Sequence, residues 1–404
     1  MANAHKPLRA LHVVGSLRRG GIETWLLNII RRRRSDLQID FLLYTSPNQS
    51  GEYEVEALSA GCKIFYAPQV SRIRKRLMML GLLKPNNFLL HTLKEGKYDV
   101  LHVHGEEFLG NAVRDAFLAG TPVRVAHCHS TVLARGRGGL EMWLRWLRHM
   151  TIDRARLLRY GTDFVACSRD AGHFLLGSRW DTDARAKVIY CGIPLDAFLE
   201  TQAKNLRADL LSKYHLPSDA IIVGHAGSMG PTPVKNHPFL VNVFAELAKR
   251  DSRYYLFMAG DGPLRPSIAA QVKSLGIENR VRMPGMIKDI PPLMTHLFNV
   301  HVMPSTAEGF GITVTEATAA GLASVIADTL PLEVSERFTG RTHRLSLQTS
   351  LKEWADKIEI AIHQQEPASQ GLARVKQTPL CLDQSIEDLI SMYQARLNSS
   401  DKTF

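Results

Sequence analysis

The stretch His301-Val-Met-Pro-Ser-Thr-Ala-Glu-Gly-Phe-Gly-Ile-Thr-Val-Thr-Glu316 passes from an apolar strand pattern through a glycine-containing turn into a helical pattern. This order is the repeating unit of α/β proteins with parallel sheets. Gly309 and Gly311 leave backbone amides open at the helix start, where the helix dipole attracts an anion, and Gly321 is placed to end the helix. The stretch therefore predicts an anion-binding turn at the carboxyl end of a parallel strand.

The same alternation of strand and helix runs through the chain twice, with a break near Gly192-Ile-Pro-Leu-Asp196 and the polar stretch 200–218. We therefore expect an α/β fold of two Rossmann-like, doubly wound parallel-sheet domains that face each other across a cleft. The expected parts are a first domain over 1–195, a linker over 196–218, a second domain over 219–375 and a C-terminal helix within 376–404 that packs back toward the first domain. The predicted strands lie near 10–14, 39–44, 62–66, 98–103, 122–126, 163–167 and 187–191 in the first half, and near 220–226, 254–259, 280–283, 299–303 and 323–327 in the second.

Composition excludes several classes of protein. The 404 residues are 45% hydrophobic and 22% charged, which permits a large core and excludes a mainly disordered chain. No apolar run approaches the roughly 18–20 residues of a membrane span, and the N-terminal residues lack the apolar core of a signal peptide. The five cysteines include no Cys-x-x-Cys pair, so we expect neither a disulfide framework nor a thiolate zinc site, and a reducing cytoplasm fits best.

The net charge of +11 is confined to the first half of the chain, where residues 1–190 hold 29 Lys and Arg against 17 Asp and Glu. The excess collects at Arg31–Arg34, at Arg72–Arg76 before an apolar run, and between Arg135 and Arg159. Such a surface suits an anionic partner. Nucleic acid is disfavoured because the chain has neither zinc-finger spacing nor an aromatic RNA-binding strand.

The third basic segment has two interpretations. Trp143, Trp146, Leu147 and Met150 recur at helical spacing, with arginines between and after them. An interfacial helix needs this combination, since its apolar face enters a lipid headgroup layer while arginine pairs with anionic lipid. A core helix with a solvated basic side explains the pattern equally well.

Two carboxylates flank the predicted anion-binding turn. Glu308 lies in the loop and Glu316 lies inside the helix, an arrangement that suits a ligand with both phosphate and sugar hydroxyls. A second glycine-rich turn, Gly15-Ser-Leu-Arg-Arg-Gly20-Gly21, follows the first predicted strand and precedes a helix. It matches neither a dinucleotide fingerprint nor a Walker loop, and tight-turn glycines explain it almost as well.

The Glu-x7-Glu spacing in this setting resembles the signature of the retaining GT-B glycosyltransferases of family 4, in particular the enzymes of bacterial capsule and exopolysaccharide assembly. The resemblance covers nearly the whole chain and rests on the order and spacing of several stretches together. These are Gly20-Gly21-Ile22-Glu23-Thr24, Gly51-Glu52-Tyr53-Glu54, Tyr98-Asp-Val-Leu-His-Val-His104, Ala126-His-Cys-His-Ser130, Ala166-Cys-Ser168, Lys235-Asn-His237 and Gly260-Asp-Gly-Pro263.

The resemblance implies a role for particular residues. Glu316 would bind the nucleotide ribose, Glu308 would contact the donor sugar, and Lys235 would neutralise the diphosphate. His129 matches the family's active-site histidine, so the implied catalytic residues are Glu308, His129 and Lys235. No metal or other cofactor is implied. The remaining residues implied in donor binding are Gly20, Gly21, Gly227, Ser228, Met286, Ile287, Gly309, Phe310, Gly311, Ile312 and Thr313, with Met286 and Ile287 near the base.

Four histidines near two strand ends also permit a different chemistry. His127 and His129 share one face of a strand, as do His102 and His104, because side chains alternate with a period of two. A metal site is conceivable there. It is disfavoured because no carboxylate or cysteine completes a recognisable zinc spacing and imidazoles often only hydrogen-bond.

Two positions depart from the family pattern. Members usually carry Arg directly after the glycine that ends the first strand of the second domain, where this chain has Ser228 and about two extra residues before Lys235. Losing that bidentate, charge-assisted contact costs about 1.5–3 kcal/mol, and Arg18 or Arg19 are candidates to replace it. Cys191 stands where the family usually has Asn.

The sequence thus predicts a cytoplasmic, retaining glycosyltransferase. The expected donor is a nucleotide diphosphate sugar, with UDP as the expected nucleotide, and the expected acceptor is a polysaccharide or a lipid-linked glycan. The basic first domain would give peripheral contact with an anionic membrane. A sugar-nucleotide epimerase of the same fold and a non-catalytic scaffold for glycan assembly are the competing hypotheses.

Overall fold

A computed structural model of the protein describes residues 7–47, 51–68, 86–105, 109–132, 139–202, 205–335 and 341–400. The chain forms two compact units, one made of Met1–Cys191 with Leu382–Phe404 and the other of Gly192–Cys381. The basic segment Arg72–Arg76, with the apolar run after it, lies outside the described residues.

The first unit is built on a parallel sheet in which all seven predicted strands are present: β1 Leu8–Val14, β2 Leu37–Leu43, β3 Ile64–Tyr66, β4 Val100–Gly105, β5 Val123–Cys128, β6 Asp163–Ala166 and β7 Ala186–Val188. Their order across the sheet is β3-β2-β1-β4-β5-β6-β7. The central strands are buried on both faces, because helices cover both faces of such a sheet. The order reverses at β1, and ligands of doubly wound sheets bind at such a switch point.

The helices of the first unit begin at conventional signals where the chain offers them. Asn86 caps one helix by accepting the amide of Phe88 at 3.2 Å, and Ser168 caps another by accepting the amide of Ala171 at 3.1 Å. The described α-helices of this unit are Gly21–Arg31, Glu54–Ser59, Asn87–Gly96, Leu109–Ala119, Gly139–Arg148, Arg154–Tyr160, Arg169–Leu176 and Leu382–Ser400.

The second unit holds a parallel sheet of six strands in the order β10-β9-β8-β11-β12-β13. The five predicted strands are present, and the sixth was missed because Thr-His-Arg-Leu is short, polar and half-exposed at the sheet edge. The strands are β8 Ile221–Ala226, β9 Tyr254–Ala259, β10 Val281–Gly285, β11 Val300–Met303, β12 Ser324–Ala327 and β13 Thr342–Leu345. The α-helices are Asp196–Gln202, Arg207–Lys213, His237–Arg250, Arg265–Ser274, Ile312–Ala319, Leu351–Ile362 and Ala368–Lys376.

The segment 196–218, for which we expected a linker, carries the first two helices of the second unit. Leu211 of the second of these helices is buried, and Arg207 donates to the carbonyl of Ala220 at 2.9 Å. Apolar burial at helical spacing gives this segment a folded role despite its polar composition.

The C-terminal helix Leu382–Ser400 belongs to the first unit. The indole of Trp25 donates to the Ser385 hydroxyl at 3.0 Å, and that hydroxyl donates to the carbonyl of Tyr190 at 2.6 Å. Near the other end of the helix, the Arg396 guanidinium donates two hydrogen bonds to the buried carboxylate of Asp163, at 2.9 and 3.1 Å. The last helix is thereby anchored to elements from the whole length of the first half.

The helix Gly139–Arg148 leaves its large apolar side chains in solvent. Trp143 is 53% exposed and Trp146 is 47% exposed, so the interpretation as a core helix is wrong for this face. Arg148 is buried against Asp153 instead of lying on a solvated basic side. Among the residues that the structure describes, none of the helices has the length and apolar character needed to span a bilayer.

We expect Arg396→Gln to lower the free energy of unfolding of the first unit by about 2 kcal/mol, because a buried carboxylate loses its charged hydrogen-bond donors. The matched control is Lys249→Ala, which breaks a mostly exposed pair with Glu246 and should cost less than about 0.5 kcal/mol. Differential scanning calorimetry of both variants measures the difference. Equal melting temperatures would contradict the anchoring role.

Candidate functional site

The loops after β8, β9 and β10 hold one another by backbone contacts at the carboxyl end of the second sheet. The Gly227 amide donates to the Ala259 carbonyl, and the Gly260 amide donates to the Gly285 carbonyl, both at 2.9 Å. Gly260 has φ 149°, and a Cβ atom there would lie 2.0 Å from the Gly227 carbonyl oxygen. Gly262 is constrained in the same way. Only glycine permits this packing, so the Gly260-Asp-Gly-Pro263 stretch fixes the position of the loop after β8.

Lys235, in the loop after β8, and Glu308, in the loop after β11, are in contact at this edge of the sheet. The Lys235 Nζ atom lies 2.7 Å from Glu308 Oε1, and the two side chains are only 20% and 13% exposed. The Thr306 amide donates to the Val234 carbonyl at 2.7 Å, which joins the two loops that carry the pair. A Cβ atom at Gly227 would come within 3.2 Å of the Lys235 side chain, so the glycine gives this lysine room. Two of the three predicted catalytic residues are thus in direct contact.

The predicted anion-binding turn has the expected form. Gly311 precedes the helix Ile312–Ala319 with φ 98°, a left-handed conformation that favours glycine. Phe310 is buried and Thr313 donates to the sulfur of Met303 at 3.3 Å, so both predicted binding residues are held against the sheet.

Glu316 lies inside this helix and is partly buried. Burial raises its pKa to about 7, while the positive charge of Lys235 acts in the opposite direction. No hydrogen bond or ion pair engages its carboxylate within the described part of the chain. A desolvated carboxyl near a lysine is suited to accept hydrogen bonds from the hydroxyl groups of a ligand.

Other predicted donor-binding residues of the second unit lie on the same loops. Ser228 is exposed in the loop after β8, and Met286 is 44% exposed directly after β10. Ile287 follows Met286, and Gly309 and Ile312 flank the turn. The second unit therefore carries all the predicted residues from Gly227 to Glu316 at one edge of its sheet, either on the loops there or on the helix Ile312–Ala319.

Three buried histidines, His225, His237 and His301, lie near this edge of the sheet. The sequence indicated only His237 as a residue of interest. His225 Nδ1 donates to the Val302 carbonyl at 2.8 Å, and the ring of His237 stands edge-on to His225 at 4.9 Å. His301 lies on β11, with Nδ1 3.1 Å from the Ser324 hydroxyl. Burial lowers the pKa of His301 to about 3 and that of His237 to about 4, so these rings are neutral.

In the first unit, the space above the glycine turn is occupied by a side chain of the helix that follows the turn. Gly20 is extended and precedes the helix Gly21–Arg31. A Cβ atom at Gly20 would lie 2.4 Å from the Glu23 carboxylate, which folds back over the helix start and has its pKa raised to about 7 by burial. Arg19, a candidate to replace the missing family arginine, lies 3.4 Å from Glu52. It is therefore already paired within the first unit.

His129 is partly exposed and belongs to a cluster of five histidines in the first unit, of which the other four are buried. The rings of His127 and His129 stack at 3.8 Å, and those of His102 and His104 stack at 4.3 Å. His12 on β1 is the fifth member, with its ring 4.8 Å from that of His102. His12 could not be singled out from the sequence, because one histidine in an apolar strand carries no signal of its own.

Two sets of these histidines have the spacing of a metal site. His104, His127 and His129 offer nitrogens within 4.8 Å of one another, and so do His12, His102 and His104. Burial lowers the pKa of both His12 and His129 to about 3, which shows that the surroundings disfavour positive charge. The same surroundings disfavour a divalent cation, and the expectation of no metal remains a prediction.

Comparison with known proteins settles the family. The profile described as glycosyl transferases group 1 matches residues 220–364, and the profile described as glycosyltransferase family 4 matches residues 19–197. The putative glycosyltransferase EpsF of Bacillus subtilis is 33% identical over 87% of this chain and 86% of its own length. The chain belongs to glycosyltransferase family 4.

Other relatives of this family 4 glycosyltransferase are more distant. The O-antigen biosynthesis glycosyltransferase WclY of Escherichia coli is 28% identical over 37% of this chain and 39% of its own. The solved structure of Anabaena Alr3699/HepE in complex with UDP matches with a TM-score of 0.73 at 20% identity, covering 96% of this chain and all of that one. Sucrose-phosphate synthase from Thermosynechococcus elongatus matches at 0.72 and 16% identity, covering 97% and 100%. The chain has the GT-B fold.

The structure places the predicted site residues of this glycosyltransferase in two groups. Gly20, Gly21 and His129 belong to the first unit, and the other predicted residues belong to the second. Cys191, at the position where the family usually has Asn, lies with its sulfur 3.7 Å from His129 Nδ1. Burial raises the pKa of this thiol to about 12, so it remains protonated.

The buried histidines give a prediction about pH. Those with lowered pKa values are His12, His102, His104, His127, His129 and His149 in the first unit and His225, His237 and His301 in the second. Below about pH 6.5 the unfolded chain takes up protons at these positions and the folded chain does not, so the free energy of unfolding decreases as the pH is lowered. Glu23 and Glu316 act in the opposite sense, but they are fewer.

We therefore expect the melting temperature to fall by more than about 5 °C between pH 7 and pH 5, as measured by calorimetry at constant ionic strength. A melting temperature that is constant or rises over this range would contradict the burial of neutral histidines.

Proposed function

We propose that this glycosyltransferase moves a sugar from a UDP-sugar to a growing polysaccharide or a lipid-linked glycan, with retention of the anomeric configuration and without a metal ion. The observation that carries the proposal is the ion pair of Lys235 and Glu308 beside Glu316, at the carboxyl edge of the second sheet. The name of EpsF supports glycosyl transfer, the name of WclY supports O-antigen biosynthesis, and the UDP and UDP-glucose complexes of HepE support the donor.

In this proposal the diphosphate competes with Glu308 for Lys235. The phosphates are more highly charged than one carboxylate, so Lys235 exchanges partners and Glu308 is released toward the sugar. The bond from the anomeric carbon to the diphosphate oxygen breaks, and the bond to the acceptor oxygen forms. The acceptor's proton passes to the departing diphosphate. Lys235 and the turn before Ile312 stabilise the negative charge that develops.

Glu316 accepts hydroxyl groups of the ribose in this proposal, and it does so best as a carboxylate. We expect Glu316→Gln to weaken UDP binding about tenfold, because two charged hydrogen bonds become neutral ones. With a pKa raised to about 7, the native protein should also bind UDP more weakly as the pH falls from 8 to 6. Calorimetric titration measures both effects.

The control for this substitution is Glu278→Gln, which changes an exposed carboxylate just before β10, at the opposite end of the strand. It should bind UDP as the native protein does. Equal affinities of Glu316→Gln and the native protein would contradict the role of Glu316.

The activity itself is tested by incubating the full chain with a panel of nucleotide sugars and a lipid-linked acceptor in EDTA, with nucleotide release and the product's anomeric configuration followed by NMR. We expect UDP release that depends on the acceptor and a product with the donor's configuration. Isomerised UDP-sugar without acceptor would show an epimerase instead. Binding of no nucleotide sugar would favour a scaffold.

We also propose that the first unit contacts the inner face of an anionic membrane peripherally through the helix Gly139–Arg148. Trp143, Leu144, Trp146 and Leu147 are 37–53% exposed on this helix, an arrangement that suits the headgroup layer. The excess of Lys and Arg over residues 1–190 supplies the electrostatic attraction. Such contact would bring a lipid-linked acceptor to the enzyme.

We expect the full chain to sediment with vesicles that contain anionic lipid at low salt and to be released at high salt. The double variant Trp143→Ser/Trp146→Ser should lose most of this binding. The control Leu332→Ser/Ile360→Ser removes two comparably exposed apolar side chains of the second unit and should bind the vesicles as the native protein does. Equal binding to neutral vesicles would show that the charge has another purpose.

A further inference from the structure

The five clustered histidines of the first unit form a single chain of polar contacts with two further side chains, Tyr393 and Cys191. The chain crosses three neighbouring strands and the C-terminal helix. The first part of the chain joins His127 Nδ1 to His102 Nε2 at 3.0 Å and His102 Nδ1 to the Tyr393 hydroxyl. The hydroxyl lies 3.5 Å from His12 Nε2, and His12 Nδ1 lies 2.9 Å from His104 Nε2. The last part joins His104 Nδ1 to His129 Nε2 at 2.9 Å and His129 Nδ1 to Cys191 Sγ at 3.7 Å.

Each link constrains the next. A neutral imidazole has one N–H and one lone pair, so a ring that donates at one nitrogen must accept at the other. Burial lowers the pKa of all five histidines, and they are neutral at physiological pH. If the Tyr393 hydroxyl accepted from both His102 and His12, its own buried O–H would have no acceptor among the described residues. With that O–H donating, the chain has only two arrangements, in which all the hydrogen bonds point one way or all point the other.

The end of the chain selects between the two arrangements. His127 is fully buried, and its Nε2 atom has no hydrogen-bond partner within the described part of the protein. A buried N–H without a partner is rarer than an unpaired acceptor, so this nitrogen carries the lone pair and His127 donates from Nδ1. Every later ring in the chain then also donates from Nδ1.

We propose that Tyr393 and His12 are positioning residues that act through His104 to hold His129 in its Nδ1–H form, so that this N–H is available to an oxygen of a ligand. Among the described residues, the hydrogen-bond contact of His129 Nδ1 is with the sulfur of Cys191, at 3.7 Å, which is the longest contact in the chain and the easiest for an incoming oxygen to replace. That the ligand is a sugar rests on the proposed function, whereas the tautomer does not.

A metal site formed by His104, His127 and His129 is the competing use of the same rings. The hydrogen bonds between the rings already engage His104 and His129 with each other at 2.9 Å. No carboxylate belongs to either histidine set, so a buried divalent charge would lack compensation. The hydrogen-bonded chain is therefore the better account of the cluster.

The test is a two-bond ¹H–¹⁵N NMR spectrum of the full chain labelled at histidine, which distinguishes the two neutral tautomers of each ring. We expect all five histidines to be Nδ1–H in the native protein at pH 7. The spectrum needs no turnover, so a failure of the tautomer assignment is separate from a failure of the proposed function.

Tyr393→Phe removes the hydroxyl that links His102 to His12 and leaves the aromatic ring in place. We expect His12, His104 and His129 to become mixtures of tautomers, although His129 is three links away. Ser385→Ala is the matched control, because it lies on the same helix and contributes no bond to the chain. It should leave the histidine spectrum unchanged.

The proposal is overturned if His129 is Nε2–H in the native protein, or if its tautomer is unaffected in Tyr393→Phe. It is also overturned if one equivalent of Zn²⁺ shifts the resonances of His104, His127 and His129 together. Once a donor is established, Tyr393→Phe should lower kcat about tenfold with little change in the KM for the donor. An equal loss in Ser385→Ala would show that the effect is only structural.

Discussion

The contact between Lys235 and Glu308 depends on how closely the loops after β8 and β11 approach at one edge of the second sheet, where the Thr306 amide donates to the Val234 carbonyl. Parallel strands bring their carboxyl ends to the same edge, and the glycines at 260 and 262 let the loop after β9 touch the backbone of the loop after β8, where a side chain would collide. The lysine and the glutamate meet with little exposure to water. In the proposed function, the lysine of this pair exchanges the carboxylate for a more highly charged diphosphate.

The first unit combines a basic surface with a core that excludes charge. Its surplus of Lys and Arg belongs to the sequence before residue 190, yet the five histidines near β1, β4 and β5 are neutral and bonded in series. The two features serve different ends. Surface charge suits long-range attraction to an anionic partner, whereas in our proposal the neutral chain sets the tautomer of one imidazole without adding charge around it.

Much of this could be predicted from the sequence, because apolar strand runs and glycine turns act locally. Twelve of the thirteen described strands were predicted, and β13 was missed since its polar, half-exposed residues carry no apolar signal. Glu308 and Glu316 were found through their setting beside the glycine turn, and Lys235 through the resemblance to family 4. His12 and Tyr393 are separated by most of the chain, and only the fold brings their side chains together. The exposure of Trp143 was equally beyond the sequence, because helical spacing alone does not show which side a helix buries.

In the proposed function, Lys235 gives up Glu308 to bind the diphosphate of a nucleotide sugar. Calorimetric titration of UDP into the native protein and into Lys235→Met tests this exchange. We expect the native protein to bind UDP and the variant, folded by its melting curve, to bind at least about tenfold more weakly. Equal affinities for UDP, or no binding of UDP by the native protein, would contradict it.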